Sequence, residues 1–203
     1  DDVGGFLNKV AKGDEALRNR SENFGSNDKW LTDVKADVVF AFFGYNESFD
    51  AKPNEYQQQL LDFIKRTRGA KPNGKDFPRI VLFSPIAHED TKNPNVPDGR
   101  THNVRLAAYT RATAAAAKEA GVAFVDLFHP SLDLFLKAKQ PLTINGVHLS
   151  EAGNRQLAEV VAPLLLGKAV GSSDSLDKLR QAVLDRQLRG ALNVNGLSLK
   201  FLL

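Results

Sequence analysis

Of the four histidines in this 203-residue chain, His148 stands in the setting best suited to proton transfer. It follows an Asn-Gly turn in "TINGVHLSEAGNRQLAEVV", residues 143–161, and comes just before an apolar-periodic run. An imidazole titrates near neutrality, so it can take a proton from a hydroxyl and return it to a leaving group. A second polar residue of interest is Asn46 in "FFGYNES", on the polar rim that follows an apolar run. Ser84 ends an apolar run before Pro85, and the loops "AHED" and "THN" carry His88 and His102. Tyr45, Ser84 and His88 are therefore expected to line the substrate side. A metal-dependent reading would draw on His88, Glu89, Asp90, His129 and His148, but scattered histidines lack the spacing of a ligand set. No metal and no cofactor is expected. The chain has no Walker loop, no G-x-G-x-x-G after a strand, no H-E-x-x-H and no G-x-S-x-G elbow.

The elements that must position these residues read as alternating strands and helices. "DVVFAFF" (37–43), "RIVLFS" (79–84) and "VAFVDLF" (122–128) are continuous apolar runs of the kind buried on both faces of a parallel sheet. Between the first two, Asn54 is expected to cap a helix that ends at Gly69, with Tyr56, Leu60, Leu61, Phe63 and Ile64 on one face. An Ala-rich helix from about Val104 to Ala120 joins the second and third strands, and a short helix from Ser131 to Ala138 follows. Ser150 can cap a helix with Leu157, Val160, Val161, Leu164 and Leu165 inward and a kink at Pro163. This order predicts an α/β fold with a parallel sheet. Ligands on such sheets bind at the carboxyl ends of the strands, where "GYNES", "SPIAHED" and the "HP" leading to "INGVH" converge. Residues 168–203 read as a linker, a terminal helix and a tail with an Asn-Gly hairpin signal, set apart from a domain at 1–167.

Composition narrows the function classes. With 42% apolar and 25% charged residues the chain can bury a substantial core. Its net charge of +3 comes from interspersed Lys and Arg, and the basic run at 65–79 reads as a helix end and loop, so a nucleic-acid partner is not expected. No run reaches the length of a membrane span, and "DDVGGFLNKV" lacks a signal-peptide layout. Without cysteine there is neither a disulfide framework nor a thiolate metal site. The absence of methionine reads as the mark of a processed or excised piece.

"FFGYNES" and "INGVHLSEAGNRQLAEVV" together resemble the third and fifth blocks of the SGNH, or GDSL-type, hydrolase superfamily, and "KGDEALRNRS" resembles its second block. The resemblance covers roughly residues 13–166. It implies a three-layer αβα, flavodoxin-like fold, here lacking or rearranging its first strands. It implies that His148 is the general base and that Asn46 and the backbone of Gly13 form an oxyanion hole. Two departures stand out. The position three residues before the histidine, where the family has its acid, is Asn145, with Asp126 and Asp133 as candidate substitutes. The Gly-Asp-Ser nucleophile block is not found either. "GSSDSL" (171–176) imitates it, but Ser175 reads as an N-cap, while Ser21, Ser26 and Ser48 lack a strand-to-helix turn. The resemblance implies a serine esterase acting on a small or carbohydrate ester, secreted or periplasmic, with further domains in a parent chain. The alternative is a catalytically silent binding or scaffold module.

Overall fold

The structure, a computed structural model, describes residues 27–167 together with Gln181, Leu184 and Asp185. Gly13, Ser21, Ser26, Ser175 and the expected C-terminal hairpin lie outside the described residues. Helix α1 (Asn27–Asp33) leads into strand β1 (Val38–Phe42), a 3-10 turn (Glu47–Asp50) and helix α2 (Pro53–Ala70). Strand β2 (Arg79–Phe83), helix α3 (Arg100–Ala120), strand β3 (Ala123–Val125), helix α4 (Phe128–Lys137) and helix α5 (Glu151–Leu166) follow. The strands form one sheet in the order β1-β2-β3, parallel throughout, with Phe42 opposite Phe83 and Phe83 opposite Val125. The strand ends that precede "GYNES", "SPIAHED" and Asp126 therefore share one edge, as expected from sequence. Among the described residues no helix is long and apolar enough to cross a membrane.

Several boundaries differ from expectation for identifiable reasons. Helix α2 starts at Pro53, not with Asn54 as a cap, because a proline in the first turn has its φ already set and no N–H to leave unpaired. It runs one residue past Gly69 and stops where Lys71 takes a left-handed conformation. Helix α3 begins at Arg100, four residues early, with Gly99 left-handed at its cap. Strand β3 is shorter than its apolar run because side chains take over the next backbone donors: Ser84 Oγ accepts from Leu127 N–H at 2.7 Å and Phe128 N–H at 3.0 Å. Ser150 caps α5 as expected, accepting from Gly153 N–H at 3.1 Å, and Pro163 lies within that helix.

The two faces of the sheet are covered unequally. Ala41, Ile80 and Leu82 point toward α2 and α3 and pack with Tyr56, Leu60, Ile64, Tyr109, Ala112 and Ala116. On the opposite face Phe83 and Val125 pack with Leu127 and with Val161 and Leu165 of α5. That helix does not bury β1, whose Phe40 and Phe42 are 50% and 56% exposed. Burial of "DVVFAFF" on both faces is thus corrected to one face; the other makes ring contacts with Phe83 only at its flank, Phe42 stacking at 4.2 Å. Leu164 is likewise exposed, not inward. A third apolar cluster, Ala87, Leu106, Phe128, Phe135 and Leu142, sits beneath the loops at the carboxyl edge and supports the candidate site.

Candidate active site

His148 is carried on a short hairpin between α4 and α5. Thr143 and Leu149 form an antiparallel bridge, Ile144 N–H donates to His148 O at 2.8 Å, and Ser150 N–H donates to Leu142 O at 2.8 Å. At the turn, the side-chain oxygen of Asn145 accepts from the backbone N–H of His148 at 3.0 Å and of Val147 at 3.4 Å. Those donors require an oxygen, so it is Oδ1 that faces the ring at 3.0 Å, and His148 Nδ1 must carry the proton. The exposed Nε2 is left with the lone pair that a general base needs. Asn145 thereby selects the same tautomer a carboxylate would select, without supplying charge.

The hairpin is tied to the end of β2 by a buried carboxylate. Glu89, 3% exposed, accepts from Leu142 N–H at 2.9 Å, from Thr143 N–H at 2.7 Å and from Thr143 Oγ1–H at 2.5 Å. Thr143 Oγ1 in turn accepts from Gly146 N–H at 2.9 Å, and Glu89 N–H donates to Gly146 O at 2.8 Å. Gly146 has φ +88°, and a Cβ there would overlap His88 Nε2, so only glycine lets the hairpin close on that ring. Sequence reasoning noticed "AHED" as rim polarity and missed this role of Glu89 and Thr143. A lone acid after a strand gives no sign of the donors that a distant hairpin brings to it.

His88 joins this hairpin to the loop after β1. Its Nε2 faces Pro97 O at 3.2 Å, an atom that can only accept, so Nδ1 receives the Tyr45 hydroxyl proton at 2.9 Å. Burial pushes the Tyr45 phenol up to about 12, which keeps it a neutral donor. Tyr45 also stacks on His102, with ring centroids 4.8 Å apart, and Phe49, 55% exposed, meets His102 edge-on at 4.3 Å. Asn46 stands between Tyr45 and the 3-10 turn, exposed, with its backbone oxygen accepting from Phe49 N–H at 3.2 Å. Burial, then the neighbouring His88 and Arg105, hold His102 below the usual imidazole range.

The serines among the described residues are Ser48, Ser84, Ser131 and Ser150, and each has a structural task. Ser48, fully buried, donates to Tyr45 O at 2.6 Å, so its 2.7 Å contact with His102 is one in which His102 Nε2–H is the donor. That arrangement is the reverse of nucleophile activation. Ser84, expected to line the substrate side, is buried instead. Its proton goes to Pro85 O at 3.1 Å, and its lone pairs go to Leu127 and Phe128 N–H, so nothing is left to meet a ligand. Ser131 donates to Phe128 O and accepts from Ala87 N–H. Asp126, a candidate substitute for the missing acid, pairs with His129 Nδ1 at 2.6 Å and not with His148, while Asp133 is exposed on α4. Among the described residues no group of three His, Cys, Asp or Glu side chains is placed to hold a metal.

The sequence model of the GDSL-like lipase/acylhydrolase family matches residues 10–156. No curated protein sequence matches the chain. Among solved structures, a catalytic mutant of Axe2, an acetylxylan esterase from Geobacillus stearothermophilus, is 24% identical, with a TM-score of 0.50 over 68% of this chain and 64% of that one. Unmutated Axe2 gives 24% identity and a TM-score of 0.51 over 70% and 65%. A peptidoglycan O-acetylesterase is 20% identical, with a TM-score of 0.50 over 77% of this chain and 44% of that one. At these identities the likeness is one of fold, and this chain spans less than two thirds of the length of each of these three.

Proposed function

Because the chain belongs to the GDSL-like lipase/acylhydrolase family, we propose that it is an ester hydrolase in which His148 is the general base. The observation that carries this reading is the Asn145–His148 turn, which leaves Nε2 at the surface of the sheet's carboxyl edge as an acceptor. His148 Nε2 takes the proton of an attacking serine hydroxyl as its oxygen bonds to the ester carbonyl carbon. The carbonyl oxygen becomes an oxyanion that receives the Asn46 amide N–H and the Gly13 backbone N–H, donors worth about 3 kcal/mol each in the transition state. Collapse of that intermediate breaks the bond to the alcohol oxygen, which leaves with the proton held by His148. Water then repeats the sequence on the acyl-serine, with His148 again the base. The bonds that occupy the serines at 48, 84, 131 and 150 support a nucleophile outside the described residues.

The substrate class we propose is an acetylated carbohydrate. Tyr45, His102 and Phe49 form an aromatic wall beside Asn46, suited to the apolar face of a sugar ring, whereas His88, expected from sequence to line it, is buried behind them. The acetylxylan and peptidoglycan esterases of similar fold accept esters of that kind by name. A second reading, a silent binding module with the same wall, is favoured by Asn145, which leaves an imidazolium without a countercharge. Labelling with a serine-directed phosphonate, peptide mapping and ester assay separate the two. The hydrolase reading expects one labelled serine and activity lost in His148→Ala, with Asn46→Ala lowering kcat about 10²-fold at similar KM. No label and no turnover, with acetylated oligosaccharide still bound, would establish the binding module instead.

A further inference from the structure

We infer that Glu89 is a positioning residue for His148, acting through Thr143 and the hairpin. This inference rests on the reading of His148 as the base. A buried carboxylate is costly unless its lone pairs are met, and here they are met by the donors of one short segment: Leu142 N–H, Thr143 N–H and Thr143 Oγ1–H. No lysine or arginine is among its partners in the described residues. The charge is therefore spent on fixing the backbone of residues 142 and 143, one strand-length before His148. The hold is doubled at the turn, where Thr143 Oγ1 accepts from Gly146 N–H while Glu89 N–H donates to Gly146 O. Both sides of the Asn145 turn are thus referred to a single residue, in the loop that follows β2, the central strand of the sheet. Because Glu89 follows His88, which is bonded to Tyr45, the same dipeptide sets the hairpin relative to the loop that carries Asn46. A general base and an oxyanion donor on separate loops need such a common reference, since a displacement near 1 Å costs about 10²-fold in rate.

A glutamine in place of Glu89 would keep one acceptor oxygen and set an NH2 donor against the N–H donors, loosening the hairpin while preserving volume. The test uses the full chain and four variants: Glu89→Gln, Thr143→Val, Thr143→Ser and His148→Ala. Three quantities are read: kcat and KM on p-nitrophenyl acetate, thermal stability, and the ¹H–¹³C ring signals of His148, assigned by their loss in His148→Ala. Glu89→Gln and Thr143→Val are expected to lower kcat roughly 10- to 100-fold with KM little changed and to move the His148 ring signals. Thr143→Ser, which restores the hydroxyl, is expected to recover most of both. Lower thermal stability with kcat and the ring signals unchanged would overturn the inference and leave Glu89 as a purely structural tie. If Glu89→Gln does not fold, the Thr143→Val and Thr143→Ser pair decides by the same criteria. Wild-type activity in His148→Ala would sink the base assignment itself, and the ring signals would then decide separately whether Glu89 orders the hairpin.

Discussion

At the scale of single residues, a histidine serves as a base only while one nitrogen carries the proton and the other is open, and at position 148 an amide meets that condition. An amide presenting its NH2 to the ring would hold the wrong tautomer, a fault that costs about 10⁴-fold in serine proteases. Asn145 avoids it because the backbone donors of residues 147 and 148 turn its oxygen toward the ring. What is missing is only the charge that stabilises the imidazolium. Asn145→Asp is therefore expected to raise kcat about tenfold, equivalent to about 1.4 kcal/mol, in an assay on a short-chain acetyl ester; a fall would show that the amide's hydrogen-bond geometry matters more than the charge. His102 carries a different prediction. Its folded-state value lies below that of the unfolded chain, so the folded protein binds fewer protons and His102 adds stability above pH ~6.5 that is lost as pH falls through its folded value. The thermal midpoint should drop as pH falls below about 6.5, and the drop should be smaller in His102→Gln; parallel curves would mean that His102 does not contribute.

Among the elements, α5 and the hairpin before it meet at a contact that leaves no room. A Cβ on Gly153 would overlap the Leu142 carbonyl oxygen, the same oxygen that accepts from Ser150 N–H and Oγ–H. Helix propensity favours alanine over glycine by about 1 kcal/mol, but a clash with backbone costs about 1–3 kcal/mol, so the clash should win. Gly153→Ala is expected to lower thermal stability and to weaken ester turnover by displacing the hairpin; a stabilised protein would show that the helix can shift freely. This level also shows where sequence was legible. The parallel order of β1, β2 and β3, the Ser150 cap and the polar edge followed from apolar runs and from a capping residue next to its helix, all local signals. The roles of Glu89 and Ser84 did not, because each depends on partners 43 to 54 residues away. The sequence places Ser84 at a strand end but holds no sign of the distant N–H groups of Leu127 and Phe128 that occupy its hydroxyl.

Across the whole molecule, the sheet has a filled face toward α2 and α3 and a partly bare one where α5 covers β2 and β3 but leaves Val38, Phe40 and Phe42 exposed. The carboxyl edge is organised differently from either face, by side chains that stand in for the missing ends of the ladder. Ser84 extends the hydrogen bonding of β2 and β3 past Val125, and Glu89 does the same for a hairpin that belongs to no sheet. In deuterated water this makes a distinctive protection map. The amides of Leu127, Phe128, Leu142 and Thr143 should trade hydrogen for deuterium as slowly as those within the strands, although none lies in a strand, because their acceptors are buried. Ser84→Ala should release the first pair and leave the second slow, and Glu89→Gln should do the opposite. Fast exchange at all four in the unmodified chain would mean that the loops open independently of the sheet beneath them.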